Sequence, residues 1–145
     1  MEHLLRTIRR TITAGALCLA ACNWFGSGVE LEMATRSVTR PRPDSMVSIS
    51  YRVTNRGSSS TYLLACGQLP TPETDRLVAN SWQEYGGTGC VAIYDMRPLA
   101  LAPGQAVDAS WSSDVAGTYR LRLFFGDDPT AATAKSVIGP TFVVQ

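Results

Sequence analysis

Val47-Ser48-Ile49-Ser50-Tyr51-Arg52-Val53-Thr54 is the stretch whose reading decides the fold. Val47, Ile49, Tyr51 and Val53 alternate with Ser48, Ser50, Arg52 and Thr54. An extended chain with this period of two has one apolar side and one polar side, which is the mark of a strand lying against a core. Asn55-Arg56-Gly57 turns the strand, since Asn and Gly both tolerate positive φ.

The same grammar extends in both directions. Val29-Glu30-Leu31-Glu32-Met33 alternates, and Arg40-Pro41-Arg42-Pro43-Asp44 breaks the pattern because proline cannot donate to a ladder. Thr61 to Cys66 is apolar and β-rich, a buried strand, whereas residues 67–76, with their Thr and Pro, read as loop. Ser81 to Tyr85 reads as a strand ended by Gly86-Gly87, and Cys90 to Tyr94 alternates again. Ala102-Pro103-Gly104-Gln105 is a tight turn. It leads into Val107, Ala109 and Trp111 on one face. Tyr119, Leu121, Leu123 and Phe125 form a further inward face with Arg120 and Arg122 outward, and the chain closes on Phe142-Val143-Val144. No helical period and no internal repeat competes. Seven or eight short strands separated by frequent turns predict an all-β fold, an antiparallel β-sandwich over residues 29–145.

The N-terminus has the three parts of an export signal. Arg6, Arg9 and Arg10 are basic, Thr11 to Ala21 is small and apolar, and Ala20-Ala21 precede Cys22. The apolar run is too short to span a bilayer, which needs about 20 residues. Leu19-Ala20-Ala21-Cys22 resembles the lipobox of bacterial lipoproteins. The resemblance implies removal of a signal peptide at residues 1–21, diacylglycerol on the Cys22 sulfur, and a lipidated tether over 22–28. It further implies export to the bacterial cell envelope, with Asn23 after the cysteine leaning toward the outer membrane where one exists. Arg9-Arg10-Thr11-Ile12 faintly resembles a twin-arginine signal, although Ile8 stands where Ser or Thr is usual. Trp24 and Phe25 could lie at the membrane interface or pack on the sandwich edge.

Removing residues 1–21 leaves 124 residues with 10 basic and 11 acidic side chains. That size suits one domain, and the balance gives no electrostatic footprint for nucleic acid. The single histidine, His3, goes with the signal, taking with it the usual general base and the commonest metal ligand. Cys18 is lost too, so Cys66 and Cys90 remain beside the lipid site. In an exported chain such a pair reads as a disulfide, closing a loop of about 25 residues and contributing roughly 3 kcal/mol. A redox pair or a metal site fits less well, given the wide spacing and the lack of further ligands.

Asp114-Val115-Ala116-Gly117-Thr118-Tyr119-Arg120-Leu121 resembles the E–F corner and F strand of immunoglobulin-like domains. The resemblance makes Tyr119 the corner tyrosine, its hydroxyl bonding backbone upstream. It puts Leu121 where antibody domains have their second core cysteine, so Cys66–Cys90 would be a different staple. The corner is one residue longer than usual. The order of Val53-Thr54-Asn55, a Cys, Trp82, Cys90, Leu101-Ala102-Pro103-Gly104 and Gly117 to Leu121 is similar to the bacterial immunoglobulin-like domains of exported lipoproteins.

Function is expected to be non-catalytic: a lipid-anchored immunoglobulin-like module binding an envelope protein or glycan, or supporting an assembly. No cofactor or metal is expected. The candidate binding loops flank the cysteine pair, at Gly67, Gln68, Leu69 and Pro70 and at Gly86, Gly87 and Thr88. The alternative is a protease inhibitor that inserts the loop around Gly67 to Pro70. Trp82 reads as either exposed or core, a core tryptophan against the disulfide being the more frequent arrangement. Asp127-Asp128 reads as a solvated turn, since calcium needs six to eight oxygens. Ser58-Ser59-Ser60 has neither a nucleophile elbow nor a histidine, and Lys135 is the one lysine for any Ser–Lys scheme.

Overall fold

The computed structural model describes residues 28–86, 90 and 95–145. The expectations placed on Cys22, Trp24, Phe25, Gly87, Thr88 and the strand from Cys90 to Tyr94 therefore fall wholly or largely outside the described residues. Twelve strand segments follow in order: β1 (Val29–Met33), β2 (Ser37–Val38), β3 (Val47–Asn55), β4 (Thr61–Cys66), β5 (Leu69–Pro70), β6 (Glu73–Val78), β7 (Ser81–Gly86), β8 (Met96–Leu101), β9 (Ala106–Ser113), β10 (Gly117–Gly126), β11 (Lys135–Ile138) and β12 (Phe142–Val144). One turn of 3₁₀-helix, Pro129–Ala131, is capped by the Asp128 side chain, which accepts from the backbone of Thr130 and Ala131.

The strands form two sheets. Sheet A has the order β1-β3-β9, antiparallel throughout. Sheet B is centred on β10. One side of β10 carries β12 and β11, and the other carries β4 and β6. β8 pairs outside β4, β7 outside β6, and β2 runs parallel to β12. In the lettering of immunoglobulin domains, β1, β3 and β9 are A, B and E, while β4, β10 and β12 are C, F and G. The protein is thus an all-β, immunoglobulin-like sandwich.

The core lies where the two period-two patterns meet. Val47, Ile49, Tyr51 and Val53 of β3 are buried, as are Tyr119, Leu121, Leu123 and Phe125 of β10. Leu31, Leu63, Leu101, Phe142 and Val144 complete the cluster. Fully burying side chains of this size contributes about 1.5–3 kcal/mol each, so these two faces dominate the stability of the fold.

Turn chemistry fixes the ends. Gly104 takes φ 76° and Gln105 N–H donates to Ala102 C=O at 3.0 Å, a Pro-Gly turn of the expected kind. At Asn55-Arg56-Gly57 the mechanism differs from expectation, because neither Asn55 nor Gly57 takes positive φ. The buried Asn55 amide does the work instead. It donates to Ser59 C=O at 2.8 Å and Leu101 C=O at 2.9 Å, and its oxygen accepts from Gly57 N–H at 2.9 Å.

The segment read as loop at 67–76 is corrected. It holds β5 and most of β6, whose Thr74 and Asp75 are buried. Leu63 pairs Phe125 and Glu73 pairs Arg122, so β10 advances three residues while its partner line advances ten. Seven residues are looped out of a single strand line, and Cys66 and β5 lie within that excursion. The prolines misled because Pro70 sits on a two-residue strand, where its lack of an N–H costs little.

Candidate functional site

The excursion is a hairpin. Cys66 pairs Leu69 and Ala65 pairs Pro70, leaving Gly67-Gln68 as a two-residue connection. Gly67 has φ 64°, the conformation that favours glycine at the first central position of such a turn. Cys66 is bonded to Cys90, with Cα atoms 5.4 Å apart, so the expected disulfide is present. Thr71 N–H and Thr71 Oγ1 both donate to Leu64 C=O at 3.0 Å. From sheet A, Tyr51 OH donates to Pro70 C=O at 2.8 Å. The hairpin is therefore pinned covalently on one side and by hydrogen bonds on the other. Leu69 stands 55% exposed on it, an apolar side chain presented to solvent from a rigid base. Of the candidate loop residues, Gly67, Gln68, Leu69 and Pro70 share this hairpin. Gly86 lies at the end of β7 opposite Thr74.

Beside the hairpin, β6 and β7 form a second one. Its central residues are Ala79 (φ 47°) and Asn80 (φ 65°), both left-handed as a two-residue hairpin of matching twist requires. Trp82 lies on the outer face of sheet B with the Arg120 guanidinium 4.4 Å from its ring centre. This corrects the core reading of Trp82. The tryptophan that packs against the core is the half-buried Trp111 on β9, whose ring lies 4.9 Å from Tyr119 and 5.0 Å from Phe142. Its indole N–H donates to Thr74 Oγ1 at 2.9 Å.

Asp75 was missed by sequence reasoning because it fell in the presumed loop. It is buried on the outer face of sheet B, accepting from Arg120 Nε at 2.9 Å and Arg122 Nη2 at 3.1 Å. Glu73 shares Arg122 at 2.9 Å. The alternation Arg120-x-Arg122 was the available signal, since two outward cations on one strand ask for anions on the strand beside them.

The corner matches the expected form. Tyr119 OH donates to Val115 C=O at 2.8 Å, and Leu121 is fully buried two residues on. Val115 N–H donates to Ser113 Oγ at 3.0 Å, and Arg76 Nη2 donates to Ala116 C=O at 2.8 Å. Burial holds the Tyr119 and Tyr51 hydroxyls above the ordinary tyrosine range.

Asp127 pairs Lys135 at 2.6 Å, and Asp128 is occupied as a cap, its carboxyl held below the usual range by bonds from Thr130 and Ala131. Among the described residues no group of three or more His, Cys, Asp or Glu could hold a metal ion. An open groove of about 590 Å³ on sheet A is lined by Glu32, Met33, Ala34, Ser50, Tyr51, Arg52 and Asp108. Of its three charged side chains, Arg52 and Asp108 pair with each other at 2.7 Å.

No protein-family model matches the chain, and no curated protein matches it. Among solved structures it is similar to the putative ApaA protein from Bordetella pertussis, at 17% identity over 79% of this chain and 87% of that one, with a TM-score of 0.49. It is also similar to the CARDB domain of a Pyrococcus furiosus protein, at 14% identity over 81% and 93%, with a TM-score of 0.39. The third is the ASH/PapD-like domain of human CEP192, at 15% identity over 81% and 82%, with a TM-score of 0.36. At these values the likenesses carry no functional statement, and the fold rests on the strand order and the tyrosine corner.

Proposed function

We propose that the protein is a lipoprotein of the bacterial envelope, anchored through Cys22, whose immunoglobulin-like domain is a non-catalytic binding module. The observation that carries the binding reading is the hairpin Gly67–Pro70, held by the Cys66–Cys90 disulfide and by Tyr51, with Leu69 presented outward. Address comes from Leu19-Ala20-Ala21-Cys22. Gly28 lies at one end of the sandwich, where its carbonyl accepts from Arg56 N–H at 2.7 Å and Gly57 N–H at 3.0 Å. β4 starts near that end, and its five residue steps carry the chain about 16 Å before Cys66, at ~3.3 Å each. A tether at Gly28 would thus hold the hairpin away from the membrane and facing a partner.

The test has two arms. Intact mass of the protein from its own membranes is expected to show loss of residues 1–21, acyl mass on Cys22, and two thiols only after reduction. A photoreactive residue at position 69 is expected to crosslink an envelope protein or glycan in cells. An unprocessed chain with no acyl mass ends the lipoprotein reading, and an uncrosslinked position 69 ends the binding reading at this hairpin. The exposure of Leu69 on a pinned turn also favours a second reading, protease inhibition by the Gly67–Pro70 loop. Full activity of a panel of serine and cysteine proteases at micromolar protein would end it.

A further inference from the structure

Sheet A is narrower than sheet B, and the missing width lies beside β9. Trp111 reaches Thr74, so β9 covers the β6 line, while β7 and β8 lie one strand further out. The inward side chains of β3 are buried, yet Val107, Ala109 and Trp111 of β9 are only half-buried. The layer stops one strand short of the floor beneath it.

β9 is also the least protected edge. Folded proteins blunt free edges with charges, prolines, bulges or shortness. β2 is two residues long, β8 contains Pro98, β1 turns Glu30 and Glu32 outward, and β7 carries a register irregularity opposite Thr74 and Asp75. β9 runs regularly for eight residues with no proline and no basic residue, and its one acid, Asp108, is already held by Arg52. Among the described residues its ladder partner is β3 alone, so half of its backbone donors and acceptors face outward.

We infer that this edge accepts an extended segment of a partner protein as a fourth strand of sheet A. The inference deepens the binding-module reading and rests on it. The segment would alternate, with apolar side chains turned inward over Leu99, Val107 and Ala109, and small polar ones beside Ser110 and Ser112. Main-chain bonds would give affinity and the alternate side chains specificity. Leu69 sits on β5, which passes beside β9, and would flank the added strand. A second copy pairing edge to edge would instead protect 106–113 in a manner that rises with protein concentration without any peptide, and that outcome would overturn the inference.

The probe is a nonapeptide of alternating threonine and valine with lysine at both ends, added to the full chain while amide exchange is followed by NMR. Slowed exchange at about every second amide of 106–113 is expected, since alternate groups face the free edge. Protection on β1, β7 or β8 instead, or no protection at about 1 mM peptide, overturns the inference. Ala109→Lys, which sets a charge on the inward side of the edge, is expected to weaken binding about tenfold or more, while Ser110→Lys on the outer face leaves it within about twofold. Equal binding by the two variants also overturns it. Should Ala109→Lys fail to fold, the exchange map of the unaltered chain decides alone. Failure of the lipid or crosslinking arms above leaves this map untouched, so the two failures are distinguishable.

Discussion

Replacing Tyr119 by Phe isolates the corner hydrogen bond from everything else the residue does. The hydroxyl donates to Val115 C=O at 2.8 Å, while the ring lies 5.3 Å from Tyr85, 4.9 Å from Trp111 and 5.9 Å from Phe142. The substitution keeps these ring contacts and deletes one bond. A neutral hydrogen bond contributes about 1 kcal/mol net, and more where the abandoned partner is sealed from water. Val115 is half-buried, so its carbonyl can recover part of its loss from solvent. The expected cost is therefore about 1.2 kcal/mol, toward the middle of the range. With an unfolding entropy of about 2.1 cal/mol/K per residue over roughly 118 residues, that lowers Tm by ~5 °C. In urea, an m-value of about 1.5 kcal/mol/M moves the midpoint down by ~0.8 M. Tyr119→Leu removes the ring contacts as well and is expected to cost about 3–4 kcal/mol. Equilibrium urea unfolding of the three proteins checks both figures. A Tyr119→Phe protein within ~0.3 kcal/mol of the parent, or one as unstable as Tyr119→Leu, would refute the claim that the hydroxyl holds the corner.

The other predictions probe separate parts of the molecule. Replacing Cys66 and Cys90 together by Ala opens a loop with a sequence separation of 24. The chain-entropy relation sets the cost at about 3.5 kcal/mol, and a loss below ~1 kcal/mol in urea unfolding would mean that the hydrogen bonds from Thr71 and Tyr51 hold the hairpin unaided. Burial raises the Tyr51 pKa, so its contribution is complete below the ordinary tyrosine value and is lost as pH rises above about 10. Tyr51→Phe should accordingly flatten the alkaline side of the stability profile, and an unchanged slope above pH ~10 would contradict this. Gly126→Ala places a methyl 1.7 Å from the Ala131 carbonyl oxygen. The backbone there cannot yield cheaply, so loss of the folded state by circular dichroism is expected, and a protein with parental Tm would contradict the packing of the 3₁₀ turn on β10.

Legibility in the sequence followed the physics of one-sided burial. β3 and β10 each have one face on the core and one in water, and their alternation named the inward residues correctly. The tyrosine corner was legible because it needs one particular side chain at one spacing. β6 was not legible, since its outward Asp75 and Glu73 make a charged segment whose strand character depends on Arg120 and Arg122 across the ladder. Local propensity cannot see a partner some 45 residues away. β8 was missed for a related reason: Pro98 demotes it unless the strand is known to lie at an edge. Trp82 was misplaced because a surface tryptophan over an arginine has the same sequence signature as a buried one.

The seven-residue excursion between β4 and β6 ties these features together. Without it, the line beside β10 would run straight from Ala65 to Glu73, Cys66 would have no hairpin to stand on, and the pairing of Cys66 with Cys90 would have no loop to pin. With it, β5 is lifted toward sheet A, where Tyr51 bonds Pro70, and β6 is set on a fresh register that brings Asp75 opposite Arg120. The same insertion supports the β6–β7 hairpin and so the overhang beside β9. A sandwich gains little stability from such a device, because looping out residues costs ordering entropy and exposes Leu69. Its consistent product is a covalently held hairpin that passes beside β9, the edge whose ladder partner among the described residues is β3 alone, and the proposed recognition role rests on that pairing of features.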